Sequence, residues 1–284
     1  MRTQRDPRGS LAALGVAVVL VLVAACGRGP VASGGGDAIA HPADPDVLIL
    51  RVETTGGFVP IQELQRRVPG FSLYGDGTIV TQGPQIEIYP PPAMPAMLQR
   101  HVDEVGIQAI LRAARDAGLF ADRTYDDQLV SDATTTVFTV NADGRRFTTS
   151  VYAHGFGDTS GQDRAARADL VAFDTALGTL PGWLPEGSLG PEQQYQPDAL
   201  RLFVGPAQPD DQVPQNPVAW PLSGPLQRFG TATDAGMRCG VVEGADLQTV
   251  LPDLAASTLL TPWESLGRRF QVIPRPLLPD ESGC

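Results

Sequence analysis

The chain has 284 residues, with 21 basic against 32 acidic side chains and a formal net charge of −11. Every basic residue is arginine, and the acidic balance excludes the basic stripe that nucleic-acid binding needs and flat electrostatic adhesion to an anionic membrane. The 31 glycines and 26 prolines lie in clusters, so ordinary folded segments should alternate with long connections.

The first ten residues, MRTQRDPRGS, carry Arg2, Arg5 and Arg8 against Asp6. An uncharged run follows from Leu11 to Val23. This is a basic segment and an apolar segment of signal-peptide length, shorter than the about 20 apolar residues that span a bilayer. The run closes on Val23-Ala24-Ala25-Cys26. LVAAC resembles the lipobox of bacterial lipoprotein precursors. That resemblance implies a diacylglyceryl group on the Cys26 thiol and cleavage between Ala25 and Cys26. It also implies a protein held by its acyl chains on the extracytoplasmic face of the cell membrane. An ordinary secretory signal and an uncleaved anchor helix are the alternatives. Two acyl chains hold a protein stably at about 0.8 kcal/mol per buried methylene, so the lipid would replace a transmembrane helix. Without residues 1–25 the chain keeps 18 arginines and 31 acids, a net charge of −13.

Three cysteines remain to be accounted for. With Cys26 taken by lipid, Cys239 and Cys284 form an even pair in an oxidising compartment, and a disulfide between them is expected. Closing a loop of that size is worth about 4 kcal/mol in the chain-entropy description.

Residues 26–45 comprise the lipidated cysteine and a flexible tether, GRGPVASGGGDAIAHPADP, with His41 solvated in it. Nineteen such residues reach at most about 60 Å. An α+β domain is expected over 46–180. It opens with a strand over Asp46–Thr54. A hairpin follows, in which Phe71–Tyr74 and Thr78–Val80 flank Gly75-Asp76-Gly77. A short strand is expected at Gln85–Tyr89, ended by three prolines. Val102, Val105, Ala109, Ala113 and Ala117 recur at helical spacing over His101–Gly118, with Gly118 as the C-terminal cap. A second hairpin pairs Thr134–Val140 with Arg146–Tyr152. A helix over Gly161–Leu177 carries Ala166, Leu170, Phe173 and Leu177 on one face, and Ser160 with Asp163 resembles a capping box.

Residues 181–197 read as a linker, and 198–284 as a C-terminal αβ subdomain. Its expected parts are strands at Leu200–Val204, Met237–Val242 and Phe270–Ile273, and a helix at Ala245–Leu254 bent or broken by Pro252. The fold expected is α+β: an antiparallel sheet of hairpins with two helices on one face, plus a small disulfide-closed C-terminal αβ unit. Within Leu48–Tyr152, FSLYGDGTIVTQG, LFADRTYDDQLVSDATTTVFTV and NADGRRFTTSVYAHG are similar to uncharacterised domains of other bacterial lipoproteins. The tail RPLLPDESGC resembles the ends of other uncharacterised secreted bacterial proteins. Neither resemblance implies an activity.

Motifs for chemistry are scarce. Gly157-Asp158-Thr159-Ser160-Gly161 suggests the GDSGG of trypsin-like nucleophiles, but the serine is displaced by one and sits where a helix begins. No Walker A loop, dinucleotide fingerprint or GxSxG elbow occurs. His154 with Asp158 and Asp163 makes a poor metal set, and Asp122, Asp126, Asp127 and Asp132 lack the calcium-loop order. Trp183, Trp220 and Trp263 lie beside prolines, where they line a cleft for peptide or glycan or else plug gaps against a core.

The expectation is therefore a lipid-anchored binding or interaction module of the cell envelope, not an enzyme, without metal, cofactor or nucleic acid. Its membrane contact is the lipid on Cys26, and its partner is an envelope protein, peptide or glycan. The rival is an envelope hydrolase using Asp126, Asp127 or Asp132, which needs two carboxylates converging in a cleft. A scaffold or inhibitor, with an apolar patch and no pocket, is a third possibility.

Overall fold

A computed structural model describes residues 38–126, 130–156, 163–207 and 212–284. The lipobox residues Val23–Cys26, Asp127 and the segment 157–162 with its Ser160 lie outside the described residues. Alternating apolar residues build most of what is seen. In chain order the first part contains β1 (Leu48–Gly56), α1 (Ile61–Arg66), β2 (Phe71–Tyr74), β3 (Thr78–Gln82), β4 (Met97–His101) and α2 (Glu104–Asp116). It continues with β5 (Arg123–Tyr125), β6 (Thr134–Ala142), β7 (Arg145–Tyr152), α3 (Arg164–Leu177) and β8 (Gln193–Gln194). The second part contains β9 (Ala199–Pro206), β10 (Val218–Ala219), β11 (Thr231–Ala232), β12 (Arg238–Glu243), α4 (Gly244–Ala256), β13 (Trp263–Ser265) and β14 (Arg268–Pro276).

The strands form two sheets, ordered β5-β7-β6-β1-β2-β3-β4-β8 and β10-β13-β14-β9-β12-β11. The fold is thus mixed α/β and rich in strands, with the Cys239–Cys284 disulfide in its C-terminal part, and the first sheet, expected to be antiparallel throughout, is mixed. Two edge pairs, β5–β7 and β10–β13, are parallel. All four edge strands are two or three residues long, which limits unpaired backbone on offer to other chains. No helix among the described residues is long and apolar enough to cross a membrane.

Pleating divides each sheet into two chemical faces. In the first sheet Leu50, Val52, Phe71, Leu73, Phe138 and Val140 share one core with Ile107, Ile110 and Leu111 of α2 and with Leu170, Phe173 and Leu177 of α3. Helix α2 starts where the Asp103 carboxylate accepts the Gly106 N–H at 2.9 Å. The opposite face carries Arg51, Ser72, Tyr74 and Val80, and Tyr74 and Val80 pack with Val68, Met97 and Leu278 from outside the β1–β3 strands. In the second sheet Leu200, Leu202, Val204, Val242 and Val272 pack on Leu247, Val250 and Leu254 of α4, which runs through Pro252 unbroken. Its other face shows Arg201, Phe203, Ile273 and Arg275. Residues 38–284 form one compact unit.

Several boundaries differ from the sequence reading. The tether expected to end at residue 45 gives way to packed chain by residue 38. Ile39 is 3% exposed in the first core, and its backbone N–H and carbonyl both bond the Gln108 side chain. His41 is held, not solvated: Nδ1 lies 2.7 Å from the Pro42 carbonyl and Nε2 3.0 Å from Glu104. The segment 181–197 is folded. Leu184 enters the first core, and Gln193–Gln194 pair with β4. Gln85–Tyr89 is not a strand, and His101, expected in a helix, ends β4. Gly77 has φ +87°, and a Cβ there would collide with the Val102 carbonyl, so the Gly75-Asp76-Gly77 turn needs glycine at its last position.

The last eight residues tie the two sheets together. Cys284 is disulfide-bonded to Cys239 of β12. Leu278 sits in the apolar cluster on the second face of the first sheet. Asp280 accepts from Arg51 at 2.6 Å and from the Tyr74 hydroxyl at 2.8 Å. Glu281 takes two 2.7 Å bonds from Arg275 and one from the Leu278 N–H.

Candidate functional site

The site is built around the short helix α1, which the sequence makes unusual. Its six residues, IQELQR, bury no side chain, and Ile61 and Leu64, one turn apart, stay exposed with Phe58 and Val59 before them. Phe58 is 90% exposed. Across a groove of about 670 Å³, the segment 84–96 presents Ile86, which is also exposed, beside Pro84, Pro91, Pro92 and Met94. Ile88 and Tyr89 follow on the same segment and are exposed too. Large apolar side chains concentrated on two facing segments mark a contact surface.

Two consecutive arginines end the helix and fix it from opposite sides. The Arg66 guanidinium donates to the Pro92 carbonyl at 3.1 Å. The Arg67 Nη1 donates to the carbonyls of Thr54 and Gly56 at 3.3 and 3.0 Å. Arg67 therefore stands at the boundary between the apolar groove and a second cleft of about 390 Å³. This cleft lies between α1, the end of β1 and the β9–β14 pair. Arg201, Phe203 and Arg275 reach it from the second sheet, and Leu64, Val68 and Pro69 complete its apolar wall.

Sheet register explains the arginines. Arg201 and Arg275 are direct cross-strand partners, an arrangement in which like charges repel. Arg275 is compensated: both Glu281 oxygens bind it, and its Nε donates to the Arg67 carbonyl at 2.8 Å. Arg201 is not compensated in the same way. It donates to the carbonyls of Gly283 at 2.7 Å and Ser282 at 3.4 Å. Burial, then the charge of Arg275, hold the Arg201 guanidinium below its ordinary pKa. For Glu281, burial pushes the carboxyl up, but the Arg275 bonds and charge with the Leu278 N–H outweigh it and leave the pKa lowered. Among the lining residues Glu53 is the one carboxylate, and there is no histidine or cysteine. Gln65 also lines the cleft, and its Oε1 is buried without a partner among the described residues. The arrangement can hold a charged, partly apolar ligand.

The residues singled out from sequence fall elsewhere. Cys239 and Cys284 are bonded. Asp126 and Asp132 are exposed, and Asp122 accepts the Thr148 N–H at 2.8 Å. No group of three potential metal ligands occurs among the described residues. The His154 Nε2 lies 3.3 Å from the Asp174 carboxylate, and its ring packs edge-on against Phe138. Asp163 stands at the N-cap of α3 without a side-chain capping bond. The tryptophans plug cores instead of lining a cleft. Trp220 and Trp263 stack edge-to-face at 5.7 Å in the second core, and half-buried Trp183 packs on the first, its indole N–H bonded to the Ala176 carbonyl. The cleft arginines were missed. Arg201 alternates with Leu200 and Leu202, which signals a second, non-core face, but its pairing with Arg275 depends on strands 74 residues apart in sequence.

No protein-family model matches this chain, and no curated protein or solved structure shows significant similarity to it.

Proposed function

We propose that this is a lipid-anchored extracytoplasmic protein of the cell envelope that works by binding, with the α1 face as its contact surface. The single observation that carries the binding reading is the run of exposed apolar side chains Phe58, Val59, Ile61 and Leu64 on and before α1, of which Val59 faces exposed Ile86 in the groove and Leu64 lines the second cleft. The anchor rests on Val23-Ala24-Ala25-Cys26 after an uncharged apolar run. The partner is an envelope protein, peptide or glycan, and the membrane contact is the lipid on Cys26. Catalysis by Asp126 and Asp132 finds no support, because both are exposed on open chain and line neither cleft.

Growth with a clickable fatty acid tests the anchor. The label is expected on the protein and lost in Cys26→Ser; an unlabelled wild-type protein would overturn it. A photo-crosslinking amino acid at Phe58 tests the face, with Leu266, another exposed apolar position, as control. Adducts are expected from position 58 alone, and equal yields from both positions would remove α1 as the contact surface.

A further inference from the structure

We propose that the cleft between α1 and the β9–β14 pair is an oxyanion site, taking the carboxylate or phosphate of an organic ligand on Arg67 and Arg201. This rests on α1 as the binding face and adds the charge of what binds there.

Three observations carry it. First, the protein sets two arginines opposite each other, Arg201 on Arg275, and supplies a carboxylate to one of them. Glu281 is spent on Arg275 through both oxygens. Second, Arg67 and Arg201 are held by main-chain carbonyls, which orient a guanidinium without neutralising it. A guanidinium has five N–H donors in a planar fork that matches carboxylate and phosphate oxygens. Among the described residues Arg67 bonds the protein through Nη1, and Arg201 through Nε and Nη2, so each keeps donors for a ligand. Arg275 bonds through all three nitrogens and contributes position instead. With Arg275 matched by Glu281, the two remaining cations face one acid in the lining, Glu53, so the cleft keeps a positive balance in a protein that is otherwise strongly acidic. Third, the walls include Leu64, Val68, Pro69 and Phe203, and the volume of about 390 Å³ falls within the range of small-ligand sites. An inorganic ion would leave that apolar wall unused. An organic acid or phosphate ester would use both parts.

The test pairs each anion with its neutral twin, by calorimetry on the full-length protein in zwitterionic nanodiscs. N-acetylleucine is compared with N-acetylleucinamide, and phenyl phosphate with phenol. At least one anion should bind tenfold or more tightly than its twin. Whichever anion binds better tells a carboxylate source from a phosphate source. Arg201→Gln and Arg67→Gln, which release different carbonyls, should each weaken the anion at least tenfold. Arg269→Gln, an exposed arginine paired with Glu264, should leave it unchanged. Equal affinity for anion and twin would remove the oxyanion and leave the apolar face standing. Anion binding that survives both cleft variants would place it elsewhere and overturn the site. Failure of every probe would overturn the oxyanion site, while the α1 face stands or falls separately with the crosslinking at Phe58.

Discussion

Arg51 and Arg275 behave differently from Arg67 and Arg201, although all four lie near the junction of the two sheets. The first two meet carboxylates of the C-terminal tail: Arg51 with Asp280, and Arg275 with Glu281. Both pairs are largely withdrawn from water, and burial, with Asp280 adding to it and Arg51 opposing, drives the Tyr74 hydroxyl well above its ordinary pKa. Among the described residues the second two hydrogen-bond to main-chain carbonyls and to no carboxylate. An arginine whose charge is matched inside the fold is part of the fold's own fastening. One whose donors are oriented but whose charge is left open is prepared for something the protein does not carry.

That contrast makes tail variants costly to stability and cleft variants costly to binding. The largest effect should come from Cys239→Ser with Cys284→Ser. Losing a cross-link over 45 residues of sequence is expected to cost about 4 kcal/mol in denaturant unfolding. Glu281→Gln should cost about 3 kcal/mol at neutral pH, since it leaves the buried Arg275 charge unmatched. The folded pKa of Glu281 is lowered from 4.5, so its contribution is complete above that value and disappears as pH falls through the lower, folded value. Melts of wild type and variant should differ by a constant amount above pH 5 and converge in stronger acid. A gap that widens in acid would reverse the sign of this pair. Arg201→Gln loses only carbonyl bonds and relieves a like-charge contact, so its cost should stay below about 1 kcal/mol. A loss as large as that of Glu281→Gln would make Arg201 another fastening. Phe58→Ser should change stability by no more than about 0.5 kcal/mol while abolishing adducts from neighbouring crosslinker positions on α1.

Local chemistry was legible where a few adjacent residues decide the outcome. Gly77 in the first turn and Asp143 and Gly144 in the second take positive φ, and these make the two hairpin turns. The helix of α2 was readable for the same reason, although its buried face runs through Ile107, Ile110, Leu111 and Ala114 and leaves Val105 exposed; the pairing of Cys239 with Cys284 followed from the cysteine count instead. Alternation misled at Gln85–Tyr89, where Ile86 and Ile88 repeat every second residue but are exposed, with no neighbouring strand to pair with. Gly and Pro density misled at 181–197, where Leu184 anchors the chain in a core. The cleft was beyond reach because it needs the long-range register of β9 on β14 and a six-residue helix with no buried face. The short period of a single strand says that Arg201 leaves the core side, not what it meets there.

The most direct test follows the arginine Nε–Hε signals by NMR while N-acetylleucine or phenyl phosphate is added to saturation. The contrast predicts that Arg67 and Arg201 move together and that Arg51, closed onto Asp280, stays where it is. Movement of Arg51 in place of the cleft pair, or stillness of all three under both ligands, would contradict it.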